Sequence, residues 1–311
     1  MNLDDLIIAS FCEIDDAMKE HLQRLPKGRL RERGPQPTLH DSEVLCMEVI
    51  GAYLGLEQDQ AIYNYFVYNY FVRHYSHFFP ALSRLHRTTF TRQATNLSHW
   101  KEQLWQRWLE DTPHQRNLGL LDSLPLPVCR FARATFCRRF RYEDVQNLRA
   151  AYGYDHVARQ TFWGFRLHLH VAWPGLITRL TLAPAQKSDV AVAPQMLENQ
   201  SGIVIGDRNY HSPELQDQLE EENPHLKLLA PFKNKKRDPD PKRSALLSHW
   251  RYRIETVNSQ LCQRFGLKQL WARDGWHLLN RLLRIVLCHT LCFRLNIQFG
   301  NSPLQLAQLT K

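Results

Sequence analysis

The chain is predicted to be an α/β protein, a mixed sheet flanked by helices and preceded by an all-helical region. Three observations predict this. Residues 1–113 read as helical throughout. From about residue 116 short apolar runs and period-two alternation appear instead. Those strands then alternate with helical stretches in the order strand, hairpin, helix, strand, helix, strand, helix. Three regions follow: a helical domain over 1–113, an α/β domain over 114–299, and a tail over 300–311.

In the helical region Asp41-Ser42 caps a helix running through Val44, Leu45, Met47, Val49 and Ile50 to about Leu54, where Gly55 breaks it. A second helix is predicted from Glu57 to Phe71 and a third from Arg84 to Trp100, carrying Arg84, Arg87 and Arg92. Three helices with a glycine turn fit a helix-turn-helix DNA-binding unit, and equally a generic bundle. The aromatic run Tyr63, Tyr65, Phe66, Tyr68, Tyr70, Phe71 reads as core packing before it reads as a base-stacking surface.

In the second region Leu118 to Leu121 is an apolar strand ending at Asp122, after which Ser123 and Pro125 take the chain out of the sheet. Phe165, Leu167, Leu169 and Val171 alternate with Arg166, His168 and His170, so the two histidines are expected to face outward. Pro174-Gly175 turns the chain, and Leu176, Thr178, Leu180 and Leu182 alternate back to form a hairpin. Asp189 to Asn199 is a helix, Ile203-Val204-Ile205 a buried strand leading to Gly206-Asp207, and Pro213 to Glu222 a helix. Leu226 to Ala230 is a strand, and after a basic loop one long helix runs from about Ser244 to Phe265.

With 43% hydrophobic and 23% charged residues the composition is that of a soluble globular protein. A formal charge of +9 favours a polyanionic partner, nucleic acid or an anionic membrane surface. The acidic start, Met1-Asn2-Leu3-Asp4-Asp5, is unlike a signal peptide. The most apolar late stretch, Leu278 to Leu295, is interrupted by Arg281, Arg284, His289 and Arg294 at amphipathic spacing, which excludes a membrane span. Seven scattered cysteines with no Cys-x-x-Cys argue for a reducing cytoplasm. Cys288, His289 and Cys292 share one helix, either as thiols buried in a helix interface or as part of a zinc site.

The chemistry centres on three acids. Asp122 and Asp207 both stand at strand exits, where open α/β sheets place their ligands. Glu255 lies one residue off the apolar stripe Leu247, Trp250, Ile254, Val257, Leu261, with Arg251 and Ser259 as its i±4 neighbours. Three clustered carboxylates repel one another and so favour hard divalent cations, which activate an oxygen nucleophile and offset transition-state charge in phosphodiester chemistry.

These residues carry a family resemblance. Leu121-Asp122-Ser123-Leu124-Pro125-Leu126-Pro127-Val128-Cys129 resembles the first acidic motif of DDE transposases from bacterial insertion sequences, and Phe162-Trp163-Gly164-Phe165-Arg166-Leu167-His168-Leu169 is similar to their hairpin strand. Gly206-Asp207-Arg208-Asn209-Tyr210 resembles the second acid and Arg251-Tyr252-Arg253-Ile254-Glu255-Thr256-Val257 the third, with 84 and 47 residues between the acids. Leu39-His40-Asp41-Ser42-Glu43-Val44 resembles the helical front of the insertion sequence 982 family. The resemblance implies a ribonuclease H-like core holding two Mg2+ or Mn2+ ions on Asp122, Asp207 and Glu255, cleavage at element ends, and strand transfer into target DNA. It implies double-stranded DNA as partner, both the element's terminal inverted repeats and the target. It further implies a homo-oligomer on DNA in the bacterial cytoplasm, associated with the nucleoid. Arg253 falls where related families hold DNA. Their additional lysine, about seven residues after the Glu, falls on Cys262 here, which leaves Arg264 and Lys268 unassigned.

Two basic clusters border the acids. Lys233, Lys235, Lys236, Arg237, Lys242 and Arg243 precede the Glu255 helix, and Arg130, Arg133, Arg138, Arg139 and Arg141 follow the first acid. Both are expected to meet DNA phosphates, as is Arg251 beside Glu255. Two other readings stay open: a non-catalytic helix-turn-helix protein of transposase descent, and a ribonuclease H-like nuclease.

Overall fold

A computed structural model describes residues 1–31, 33–70, 79, 81–143 and 147–310, with backbone alone for 68–70. It divides by contact into two units: residues 1–111, 263–270 and 276–311, and residues 112–262 with 271–275. The helices are α1 (Leu3–Arg24), α2 (Asp41–Tyr53), α3 (Asp59–Asn64), α4 (Arg87–Asn96), α5 (Ser98–Asp111), α6 (Asp189–Leu197), α7 (Pro213–Glu222), α8 (Pro241–Trp250), α9 (Tyr252–Ser259) and α10 (Gly275–Gln298). The strands are β1 (Gln115–Pro127), β2 (Ala151–Asp155), β3 (Gln160–Trp173), β4 (Leu176–Pro184), β5 (Gly202–Ile205) and β6 (Leu226–Leu229). The chain is thus a mixed α/β protein with a helix-flanked sheet. None of its described helices is long and apolar enough to cross a membrane.

The first unit is helical. Gly55 ends α2 as the sequence suggests: its φ is +74°, its N–H bonds the Ala52 carbonyl, and the Leu56 N–H reaches back to Gly51. The predicted helix from Arg84 to Trp100 is two helices, α4 and α5, broken at Leu97. Of the aromatic run, Tyr63 and Phe66 are core, with the Tyr63 hydroxyl donating to the Leu85 carbonyl at 2.6 Å. Phe71 lies outside the described residues. Cys288, His289 and Cys292 are buried along α10, and all seven cysteines are free thiols.

The charges that interrupt the apolar face of α10 have buried partners. Arg284 Nη1 donates to Asp59 Oδ1 at 2.7 Å and its Nη2 to the Glu57 carbonyl at 2.7 Å. Fully buried Lys101 donates to Glu48 Oε1, Asn280 Oδ1 and the Ala94 carbonyl at 2.7, 2.7 and 3.0 Å. Burial opposes charge on both members of the Lys101–Glu48 pair, pushing the carboxyl up and the ammonium down. Mutual pairing offsets that cost for both; Arg284 adds to the relief of Glu48 but opposes charge on Lys101, whose remaining donors go to Asn280 and Ala94.

The second unit is built on one six-stranded sheet. Its order is β2-β3-β1-β5-β6, with β4 on the same edge of β3 that β2 leaves free. β1, β2 and β4 each pair antiparallel with β3, whereas β5 and β6 run parallel to β1. On one face α6 and α7 cover Leu121, Val204, Leu226 and Leu228 with Val192, Met196, Leu215 and Leu219. The pleat sends alternate side chains of β1 to the opposite face. There α9 packs on β1, with Ile254 and Val257 buried beneath it.

Three expectations need correction here. β1 does not leave the sheet at Asp122; it stays paired with β3 through Pro127, opposite Gly164. Only its parallel partner β5 has ended by then. Val128 donates to Trp163 on β3, so by the two-residue period Pro125 and Pro127 turn their missing N–H toward the vacated edge, where a strand tolerates proline. His168 and His170 are buried, not outward, because both lie on one face of β3 and α6 packs against that strand. The single helix expected from Ser244 to Phe265 is α8 and α9 meeting at Arg251, followed by a π-type turn over Gln260–Arg264.

The buried ion pair makes a clear prediction. Lys101→Met leaves Glu48 uncompensated and is expected to lower unfolding free energy by about 3–5 kcal/mol in urea titration. The double variant Glu48→Gln, Lys101→Met is expected to recover most of that loss.

Candidate active site

The parallel register of β1 and β5 sets the site. Leu120 pairs with Ile205, and Asp122 and Asp207 each lie two residues beyond that pair. Adjacent strands stand about 4.8 Å apart, so two carboxylates two residues past the same rung emerge side by side. The chain turns sharply after β5 because Gly206 carries no side chain: a Cβ there would stand 2.6 Å from the Tyr210 ring. Asp207 closes that turn, with Oδ1 accepting from the Asn209 N–H at 2.8 Å and Oδ2 from the Asn209 side-chain amide at 2.9 Å.

Asp122 is held from the other face by α9. Its Oδ1 accepts from the Ser123 N–H at 2.9 Å, and its Oδ2 from Asn258 Nδ2 at 2.9 Å. Arg251 Nη2 lies 3.3 Å from the same Oδ2, and Arg251 Nη1 lies 3.8 Å from Glu255 Oε1. Arg251 therefore stands between the first acid and the third. Its own side chain is mostly buried, whereas that of Glu255 is 57% exposed.

Electrostatics link the acids. Burial pushes the Asp122 carboxyl up from its ordinary 3.8 to about 6; the Arg251 charge opposes that shift, and the Asp207 and Asp189 charges add to it. Asp207 is also raised, first by burial and then by Asp189, against the pull of Arg251 and the Asn209 N–H. Asp189 opens α6 behind its N-cap Ser188. Its Oδ1 is 3.9 Å from His168 Nδ1, beyond hydrogen-bond reach. Burial drives the His168 ring down to about 4, keeping it neutral. Among the described residues Asp189 Oδ1, both His168 ring nitrogens and the Tyr210 hydroxyl are buried with no hydrogen-bond partner. Asp189, Asp122 and Asp207 all push the Tyr210 hydroxyl upward, behind the larger effect of burial.

The donor set suits a hard divalent cation: carboxylate oxygens whose ionisation is opposed by burial and by one another. Among the described residues no three Asp, Glu, His or Cys side chains stand close enough to close around a metal ion. Asp122 and Asp207 are brought together, and Glu255 is joined to them through Arg251.

Among the basic residues singled out from sequence, Lys233, Lys235, Lys236 and Arg237 are exposed, as are Arg130 and Arg133. Arg253 lies over the Trp173 ring at 5.2 Å from its centroid, a cation–π contact on the α9 face. Two residues with contacts to the acids escaped the sequence reading. Asn258 could have been found at i+3 from Glu255, on the same helix face. Asp189 carried no signal beyond opening a helix.

Residues 113–269 match the family model of the transposase DDE domain. That is just over half of the chain, and the chain belongs to this transposase family. Neither the curated proteins nor the solved structures contain a match to it.

The raised carboxyl has a testable sign. Asp122 titrates near 6 in the folded chain and near 3.8 otherwise, so its contribution to stability is full below about 3.8 and lost as pH rises through 6. In EDTA, Asp122→Asn is expected to stabilise the protein at pH 7.5 by on the order of 2 kcal/mol, and hardly at all at pH 4. Urea unfolding across that range measures it.

Proposed function

We propose that the chain is a DDE transposase that cuts DNA at the ends of an insertion sequence and transfers those ends to target DNA. Asp122, Asp207 and Glu255 act as ligands of two divalent cations, Mg2+ or Mn2+. The observation that carries this reading is the pairing of Asp122 with Asp207 beyond adjacent parallel strands, each carboxyl raised by burial and by like charge. Two further features support it: the third acid is one salt bridge away, and the family is that of transposases.

The sheet order β4-β3-β1-β5-β6, with β5 and β6 parallel to β1, supports a ribonuclease H-like assignment of this core. The helices of residues 1–113 are read as the DNA-binding front, of helix-turn-helix type, and the chain as one of the insertion sequence 982 kind. Terminal inverted repeats and target DNA are its partners. A homo-oligomer assembles on them, in a bacterial cytoplasm at the nucleoid.

When bound, the cations activate the attacking oxygen and offset charge on the leaving one. The side chains prepare the place for them. Asn258 orients the Asp122 carboxylate through Oδ2, and the Asn209 amide and N–H do the same for Asp207. Arg251 supplies positive charge at the acids while no cation is present. Glu255, more than half exposed and not packed in place, is free to change rotamer toward the acids. The exposed Lys233, Lys235, Lys236, Arg237, Arg130 and Arg133, with Arg251 and Arg253, neutralise DNA phosphates around the acidic centre.

Purified protein is expected to nick oligonucleotides carrying its element's ends in Mg2+, and to join labelled ends into a plasmid. Asp122→Asn, Asp207→Asn and Glu255→Gln are each expected to lower cleavage by about 1,000-fold or more. Mn2+ is expected to raise the unfolding midpoint of the wild-type chain and not of Asp207→Asn. A variant that cleaves normally removes its residue from the site. Cleavage without joining points to a nuclease, and DNA binding indifferent to EDTA without cleavage points to a non-catalytic binding protein.

A further inference from the structure

The stretch between β1 and β2 combines two exposures that seldom coincide. Residues 130–142 hold five arginines and no acid, and among them stand Phe131, Phe136 and Tyr142, which are 55%, 85% and 81% exposed. Large aromatic rings left this open in an ordered segment call for a partner. The segment is anchored. Ala134 and Phe140 are buried, and Phe140 packs edge-on against Phe165 of β3 at 5.2 Å. Arg139 donates to the Trp271 carbonyl at 3.1 Å and Arg141 to the Thr135 carbonyl at 2.7 Å. The rings are therefore held out by a braced loop, with Arg130, Arg133 and Arg138 exposed beside them.

Charge narrows the choice of partner. A second copy meeting this patch across a two-fold axis would set arginine against arginine, which is repulsive. A polyanion suits it. The outer surface of a fully paired duplex offers phosphates, which would engage the arginines, but its base faces are stacked away from the rings. Unpaired nucleotides offer both groups at once: a phosphate for each guanidinium and an aromatic face for each ring.

We propose that residues 130–142 form a binding surface for unpaired nucleotides of the DNA substrate, with Phe131, Phe136 and Tyr142 stacking on bases between arginine-held phosphates. The proposal rests on the reading that the chain acts on DNA and adds to it the state of that DNA. β1 runs on from Asp122 to Pro127 at about 3.4 Å per residue, so the strand carries the chain about 17 Å past the first acid. At the duplex rise of about 3.4 Å per nucleotide that is about five nucleotides from the reacting phosphate.

The test uses the full chain in EDTA, so that no cleavage intervenes, and three fluorescein-labelled probes read by anisotropy. These are a 20-nucleotide oligo-dT strand, a 20-base-pair duplex, and the same duplex ending in an unpaired arm of six nucleotides. Phe136→Ala with Tyr142→Ala is expected to weaken the strand and the forked probe about ten-fold or more, and the closed duplex less than two-fold. Arg130→Ala with Arg133→Ala is expected to weaken all three and to flatten their salt dependence. Equal loss on all three probes, or no loss on any, from the aromatic variant overturns the proposal. So does a change in sedimentation from dimer to monomer with DNA affinity intact, which would make the patch a contact between copies. If the wild-type chain binds none of the probes, the DNA reading itself fails. If it binds the duplex normally and the aromatic variant matches it throughout, only the present inference fails.

Discussion

The chemistry of this protein depends on two strands running parallel for three rungs and then parting. While β1 and β5 are paired, their side chains are committed to one face or the other of a covered sheet. Two residues later β5 has turned away at Gly206 and β1 continues alone on that edge, so a carboxylate from each stands beside the other, close enough for the Asp207 charge to raise Asp122. Like charges so placed are unstable in water-poor surroundings. Arg251, at the junction of α8 and α9, supplies the compensating charge: its guanidinium reaches Asp122 across the sheet and Glu255 one turn on.

Buried charge recurs in the helical unit with a different outcome. There Lys101, Glu48, Asp59 and Arg284 are matched cation to anion, with Asn280 and backbone carbonyls taking up remaining donors. Such a closed network fixes helices in one register. Around Asp122 the balance differs: Asp189, His168 and Tyr210 contribute buried atoms without hydrogen-bond partners, and the mostly buried Arg251 is the cation paired with Asp122 and Glu255. Buried polar atoms without partners occur in both units, so what sets the Asp122 surroundings apart is like charge that burial does not match with equal opposite charge.

An acidic centre in a chain of formal charge +9 also explains the placement of its cations. Cations close to the acids are mostly buried and engaged, as Arg251 is. Exposed cations of the second unit include those on the loop before α8 and on the stretch after β1. That division is the one the proposed function calls for, with phosphates meeting positive charge and carboxylates left for metal.

Much of this was legible in the amino-acid order. Period-two alternation located the hairpin β3–β4, apolar runs located β5 and β6, and Gly55 and Gly206 marked their turns, because these signals depend only on neighbours a few residues apart. Asp122, Asp207 and Glu255 were recognisable for the same reason, each sitting in a short local pattern. What escaped was set by residues distant in the chain. The persistence of β1 to Pro127 depends on β3 continuing beside it, and the burial of His168 and His170 depends on α6 packing against β3. Asn258, Asp189 and the bridging position of Arg251 acquire meaning only when α9 is laid across β1. Local sequence thus determined which residues carry charge and roughly where β1, β3, β4, β5 and β6 lie, but not β2; the tertiary structure alone decided which of those charges stand close enough to change one another's ionisation, because that interaction weakens with distance from the carboxylate.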